Sequence, residues 1–286
     1  MIYLFTALYC EAHIFIRQFH LEKNPENTQF QEFYNEAEGI LLTITGIGEI
    51  AAAAAVAGIC SKYKPKEEDM LLNIGTCACR EGNAGVFVCN KLTEQATGKT
   101  FYPDILYRHD FEEEAIVTGM LPWNDEKNIP GMPAAISGKN LYDMEAAAVY
   151  QAGAYFFGPH QMVFLKIVSD GGTAKEVSEK RVENLMESCQ DMLFSFVKQL
   201  SLTAAENTRK EHCFRQEEDP VIEKLSADMH CSKVMKDLLK QYIRYLTLSG
   251  TDYASVIQDM YREDLLPCKD KREGKLRFEE LKRRLL

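Results

Sequence analysis

"GILLTITGIGEIAAAAAVAGICSKY" (residues 39–63) is the stretch that decides the fold class. Its first ten residues read as an apolar strand running into a glycine turn. The remainder reads as a helix, because alanine is the best helix former. A strand that turns on glycine into a helix is the repeating unit of α/β folds. The same pattern appears on both sides of it. "IYLFTAL" (2–8) is a continuous apolar run that ends in a polar turn, as a strand buried on both faces does. "DMLLNIGTC" (69–77), "AGVFVCNKL" (84–92) and "HQMVFLKIVSDGG" (160–172) read as further strands. "EVSEKRVENLMESCQDMLFSFVKQL" (176–200) is a long amphipathic helix, with Val182, Leu185, Met186, Cys189, Met192, Leu193 and Phe196 on the helical period. The expectation is an α/β domain over residues 1–200 with a largely parallel or mixed sheet.

The remainder differs in character. "SLTAAENTRKEHCFRQEED" (201–219) is polar and irregular, so 201–218 is expected to be a linker. Asp219 followed by Pro220 reads as a helix start. Three more helical patterns follow, and residues 219–286 are expected to form an all-helical extension. Residues 201–286 carry 17 basic and 16 acidic residues, while the first 200 carry 16 basic and 27 acidic. The net charge of −10 over 286 residues argues against nucleic-acid binding. The nine cysteines include no C-x-x-C pair, so a metal is not expected and reduced thiols are. "MIYLFTALYC" lacks a basic start, and "IAAAAAVAGIC" is too short to span a bilayer. The expected compartment is the cytoplasm, without a membrane.

Ligands of such sheets sit at the carboxyl ends of the strands. Glu11, residues 45–48, Gly75, Thr76, Ser169 and Asp170 all fall in such turns, so they are expected to share a pocket. A separate question is posed by "LYDMEAAAVY" (141–150), which sets Glu145 among small and apolar residues. Read as a helix, it points Asp143 and Glu145 to different sides. A buried carboxylate is costly unless paired, so Glu145 has either a protein partner or a ligand. "TGIGE" lacks the third glycine of a dinucleotide site and the lysine of a phosphate-binding loop.

"TALYCEA", "TGIGEIAAAAAV", "NIGT", "DMEAAAVY" and "VSDGG" occur in that order over residues 1–200. This order resembles the nucleoside phosphorylase/nucleosidase superfamily, most nearly the methylthioadenosine/S-adenosylhomocysteine nucleosidases. The resemblance implies a three-layer fold with a central mixed sheet and hydrolysis of a purine nucleoside with no cofactor. It implies that Glu145 holds the ribose hydroxyls and that Met144 packs on the sugar. Asp170, with Ser169 beside it, would protonate the purine at N7. Glu11 would help to activate the attacking water, and Thr45, Gly46 and Thr76 would line the sugar. It also implies a homodimer. "LLNIGTC" has no arginine where the related phosphorylases carry one, which favours water over phosphate. Arg17, Arg80 and Arg108 remain as cations, and Phe101, Tyr102 and Trp123 as aromatic candidates for the base. The departures are "CACRE" after "NIGT" and a short stretch between about 90 and 140. Alternatives are a phosphorylase and a non-catalytic nucleoside-binding sensor or partner subunit. The helical extension is expected to pack on the chain itself or to dock a protein partner.

Overall fold

The computed structural model describes residues 1–26, 29–79, 84–123, 141–171, 177–215, 220–248 and 252–285. The chain divides into two compact units, Met1–Arg209 and Lys210–Leu286.

The first unit opens with β1 (Ile2–Thr6), α1 (Tyr9–Gln18), β2 (Glu22–Lys23), β3 (Gln31–Asn35), β4 (Ile40–Ile44) and α2 (Glu49–Tyr63). Next come β5 (Met70–Cys79), β6 (Val86–Glu94), β7 (Thr100–Phe101), β8 (Glu112–Thr118), β9 (Leu141–Asp143) and α3 (Ala146–Gly153). It closes with β10 (Met162–Asp170) and most of α4 (Glu179–Arg215), a helix that runs past the boundary at Arg209. The sheet is mixed. β4, β1, β5 and β10 run parallel as neighbours, whereas β3 pairs β4, and β6 pairs β10, antiparallel. β5 pairs both β10 and β9, and β6 and β8 link those two, so this half of the sheet closes on itself.

The period of two along a strand divides the core. From β1, Ile2 and Leu4 face a cluster that includes Ile14 and Phe15 of α1 and Met186, Leu193 and Val197 of α4. Tyr3 and Phe5 face the other cluster, with Val56 and Ile59 of α2 and Val149 of α3. Helices therefore cover both faces of the sheet, and the expected three-layer arrangement is present.

α2 has the bounds that its alanines suggest. The turn before it needs glycine, since Gly46 and Gly48 take φ of +84° and +98°. Three expectations fail. Gly75 and Thr76 lie inside β5, which runs on to Cys79, and not in a turn at its end. Residues 201–215 are helix and not an irregular linker, because α4 continues through them to Arg215. Residues 141–150 are not one helix either. β9 occupies the first three, and α3 begins at Ala146 with Glu145 as its N-cap. No described helix is long and apolar enough to cross a membrane.

The second unit contains α5 (Pro220–Asp228), α6 (Lys233–Leu248), α7 (Tyr253–Arg262) and α8 (Lys271–Leu285). Their apolar faces meet in one core that includes Leu225, Met229, Leu239, Ile243, Met260 and Phe278. Gly274 lets α8 pass against the backbone at Met229, where a Cβ would collide with the Met229 carbonyl oxygen. Gly274→Ala is expected to destabilise this unit by about 1–3 kcal/mol or more, read as a lower urea midpoint.

Candidate active site

Glu11 follows β1, but it is no loop carboxylate. It lies in the first turn of α1, buried to 2% exposure. Its Oε2 accepts hydrogen bonds from the Ala7 and Leu8 N–H groups at 3.0 and 3.1 Å. Its Oε1 accepts from the Thr76 N–H at 2.7 Å and the Thr76 hydroxyl at 2.9 Å. Glu11 thus ties the end of β1 to β5 and receives four donors, the full capacity of a carboxylate. Gly75 permits this approach, since a methyl group there would stand 3.3 Å from Oε1.

Glu145 reaches across to the start of α2 and accepts the Gly48 N–H at 2.8 Å. The positive end of a helix favours a carboxylate at that place. Burial nonetheless pushes the Glu145 carboxyl up to about 7, with the charge of Asp143 as the next cause and Glu11 a smaller one. Lys166 and the Gly48 N–H pull the other way.

Asp143, at the end of β9, accepts from the Thr118 hydroxyl at 2.6 Å and from the Ala146 N–H at 2.9 Å. Its third partner is the Lys166 ammonium at 2.8 Å, in an ion pair that is wholly buried. The Thr118 oxygen in turn accepts the Ala147 N–H at 3.0 Å. The first two N–H groups of α3 are therefore satisfied by side chains from β9 and β8. Lys166 and Thr118 escaped the sequence reading. The signal was present in "MVFLKIVSD", because a lysine inside an otherwise apolar buried strand must be paired.

Ser169 and Asp170 end β10. The Ser169 hydroxyl lies 2.8 Å from Asp170 Oδ2 and 3.2 Å from the Cys77 carbonyl oxygen, and donates its one proton between them. Asp170 is partly exposed.

These elements enclose a pocket of about 250 Å³ on which Glu11, Thr76, Met144, Glu145, Ser169 and Asp170 all lie. Leu8, Ile47, Trp123 and Val177 supply apolar wall. Four expected residues, Thr45, Gly46, Gly48 and Gly75, stand outside the lining. Thr45 is buried and donates its hydroxyl proton to the Thr6 and Gly46 carbonyl oxygens, and Gly46 shapes the turn, so Ile47 takes the place beside the cavity. Of the aromatic candidates, Trp123 reaches the pocket and packs edge-on to Tyr142 at 5.2 Å. Phe101 stacks on Tyr150 at 5.0 Å, and Tyr102 is exposed. Arg17 lies near Glu187 on the surface, Arg108 is not in the lining, and Arg80 lies outside the described residues. Among the described residues no Arg or Lys lines the pocket. A larger hollow of about 550 Å³ lies between α2 and α3. It is walled mostly by apolar side chains and holds none of the candidate residues.

No family model matches the sequence, and no curated protein matches it. Solved structures do match by fold. A 5′-methylthioadenosine/S-adenosylhomocysteine nucleosidase from Streptococcus pneumoniae, bound to a transition-state inhibitor, superposes with a TM-score of 0.58 at 18% identity, covering 70% of this chain and 99% of that one. The Campylobacter jejuni nucleosidase of the same description gives 0.57 at 14% identity over 69% and 98%. That from Colwellia psychrerythraea, in complex with adenine, gives 0.55 at 16% over 71% and 93%. The α/β portion of this chain therefore has the fold of the nucleoside phosphorylase/nucleosidase superfamily, in the form found in the methylthioadenosine/S-adenosylhomocysteine nucleosidases.

Proposed function

We propose that the protein hydrolyses the N-glycosidic bond of a purine nucleoside. The observation that carries this reading is the meeting of Glu11, Glu145 and Asp170 on one small pocket. Glu145, at the close end of two helices, accepts hydrogen bonds from the ribose hydroxyls, and Met144 lies against the sugar. Asp170, protonated, donates to purine N7 and is held in orientation by Ser169. As the C1′–N9 bond breaks, its electron pair passes to the purine, which takes the Asp170 proton. Such a general acid contributes about 10²–10⁴-fold. The sugar turns cationic, and Glu145 and Glu11 stabilise it. Water bonds to C1′ and loses a proton toward Glu11. That carboxylate already accepts four hydrogen bonds, so the Thr76 hydroxyl, which donates to it, is the route by which the proton arrives. Exchange with solvent returns a proton to Asp170.

Trp123 supplies the aromatic face for the base. Leu8, Ile47, Met144 and Val177 suit a thioether or a methyl group at C5′, which supports 5′-methylthioadenosine, S-adenosylhomocysteine or 5′-deoxyadenosine over a phosphorylated nucleoside. Absence of a cation among the described lining residues supports water over phosphate. The apolar hollow on α2 and α3, where Ile50 and Tyr155 are 77% and 87% exposed, suits a second copy of the chain. The saturated Glu11 carboxylate favours the rival reading, a nucleoside-binding subunit without turnover.

One assay separates these. The purified protein is incubated with each of the three nucleosides, and with inosine, with and without phosphate, and free base is quantified. The expected result is release of adenine at equal rates in both conditions. Dependence on phosphate would make the protein a phosphorylase. Binding without release would make it a sensor or partner subunit.

A further inference from the structure

Lys166 does not line the pocket, yet its ammonium is paired with Asp143, which does. It is buried in β10, 1% exposed, and Asp143 is its one ion-pair partner among the described residues, at 2.8 Å. Asp143 is two residues from Glu145. Two carboxylates and one ammonium are thus enclosed together, an arrangement with one negative charge in excess. Asp143 also lies on the pocket wall, but it is bound by Thr118 and by the Ala146 N–H as well as by Lys166. Among the described residues Glu145 has a single hydrogen-bond donor, the Gly48 N–H, and it too lies on the pocket wall.

We propose that Lys166 is a positioning residue for this site. By neutralising Asp143 it lets Glu145 remain ionised in a buried place and face the ligand as the uncompensated charge. The excess is then cancelled either by a proton on Glu145 or by a ligand with cationic character. The charged groups facing Glu145 are Asp143 from β9, Lys166 from β10 and Glu11 from α1, with the Gly48 N–H from the start of α2. Asp170 shares the pocket, and Glu49 follows Gly48 in the chain. Lys166 favours the ionised form of Glu145; Asp143 and Glu11 oppose it. The activity consequence rests on the nucleoside reading above, whereas the electrostatic coupling does not.

The test follows the Glu145 carboxyl itself, by carbon NMR of protein labelled at the glutamate carboxyl, with Glu145→Gln identifying the signal. The wild-type midpoint is expected near 7. Asp143→Asn removes a like charge and frees Lys166, so the midpoint should fall. Lys166→Met should raise it by about 1–3 pH units. Lys166→Met combined with Asp143→Asn removes both charges and should bring it back toward the wild-type value. Lys166→Arg keeps the charge and should keep the midpoint. A purely structural lysine would lower thermal stability and leave every midpoint unmoved, and that result would overturn the proposal. If Lys166→Met alone does not fold, Asp143→Asn and the double variant still decide, because the double variant leaves no unpaired buried charge. The acid limb of base release should follow the same midpoints. Shifted midpoints in a protein that releases no base would keep the coupling and reject the hydrolase.

Discussion

Asp170→Asn will yield a protein that binds a purine nucleoside and releases its base about 10²–10⁴-fold more slowly. The asparagine is the same shape and can still accept the Ser169 hydroxyl proton, so the end of β10 need not move. What it lacks is a proton to give to the departing purine. The loss should therefore fall on kcat, with KM little changed, since the interaction removed is one made mainly in the transition state. Single-turnover measurement of free adenine, beside calorimetric binding of the same nucleoside, checks both halves. Turnover at the wild-type rate would show that the purine is protonated by another group, or leaves without protonation.

Glu145→Gln will cost the protein its hold on the sugar while making the ligand-free protein more stable. Hydrogen bonds to a charged acceptor contribute about 1.5–3 kcal/mol each. Two ribose hydroxyls therefore place the loss in kcat/KM at roughly 10²–10⁴-fold. Stability moves the other way. The folded-state value of Glu145, about 7, lies above the ordinary glutamate value of 4.5. The folded protein thus binds the Glu145 proton more tightly than the unfolded chain does. Stability from this group is fully present below about 4.5 and is lost as the pH rises through about 7. The loss amounts to at most about 3 kcal/mol. Glutamine removes that penalty and keeps an oxygen for the Gly48 N–H. Urea denaturation at pH 8 should show the variant above the wild type, with the gap closing by pH 5. A gap that is the same at both pH values would mean that Glu145 is ionised throughout. Stability given up in the free protein would then be regained on binding, as strained functional sites often show.

The two variants also divide the binding and chemical roles between two ends of the pocket. Glu145 sits where β9 hands over to α3, against the start of α2, and Asp170 sits at the end of β10. On the proposed function a substrate spans both, and small changes in the relation of α3 to β10 would then be costly to catalysis. The Asp143–Lys166 pair joins the end of β9, just ahead of α3, to β10. Replacing one partner alone strands a buried charge, whereas replacing both does not.

Much was legible from local patterns. The strand, glycine turn and alanine helix of residues 39–63 specify themselves, since each segment's own preference agrees with its place in the fold. β5, β6 and β10 announce themselves as apolar runs, and Ser169 and Asp170 do end a strand, whereas Glu11 joins the site from the first turn of α1 and Thr76 from within β5. The amphipathic helices of residues 220–285 have the same local legibility. What misled was also local. Residues 201–215 are polar, yet Ala204, Ala205, Glu206, Arg209, Lys210 and Glu211 are good helix formers, and α4 continues through them.

The sequence by itself determined an α/β sheet with a helical addition, and it supplied the carboxylates in an order that resembles one superfamily. Only the tertiary structure decided how those carboxylates are held. Glu145 is an N-cap and Asp143 a strand residue because β9 pairs with β5 and β8, which are distant in the chain. Lys166 meets Asp143, and Glu11 meets Thr76, across similar separations. Residue patterns report the conformations of near neighbours. Charge pairing inside a core depends on which strands lie side by side, and that is settled by the sheet as a whole.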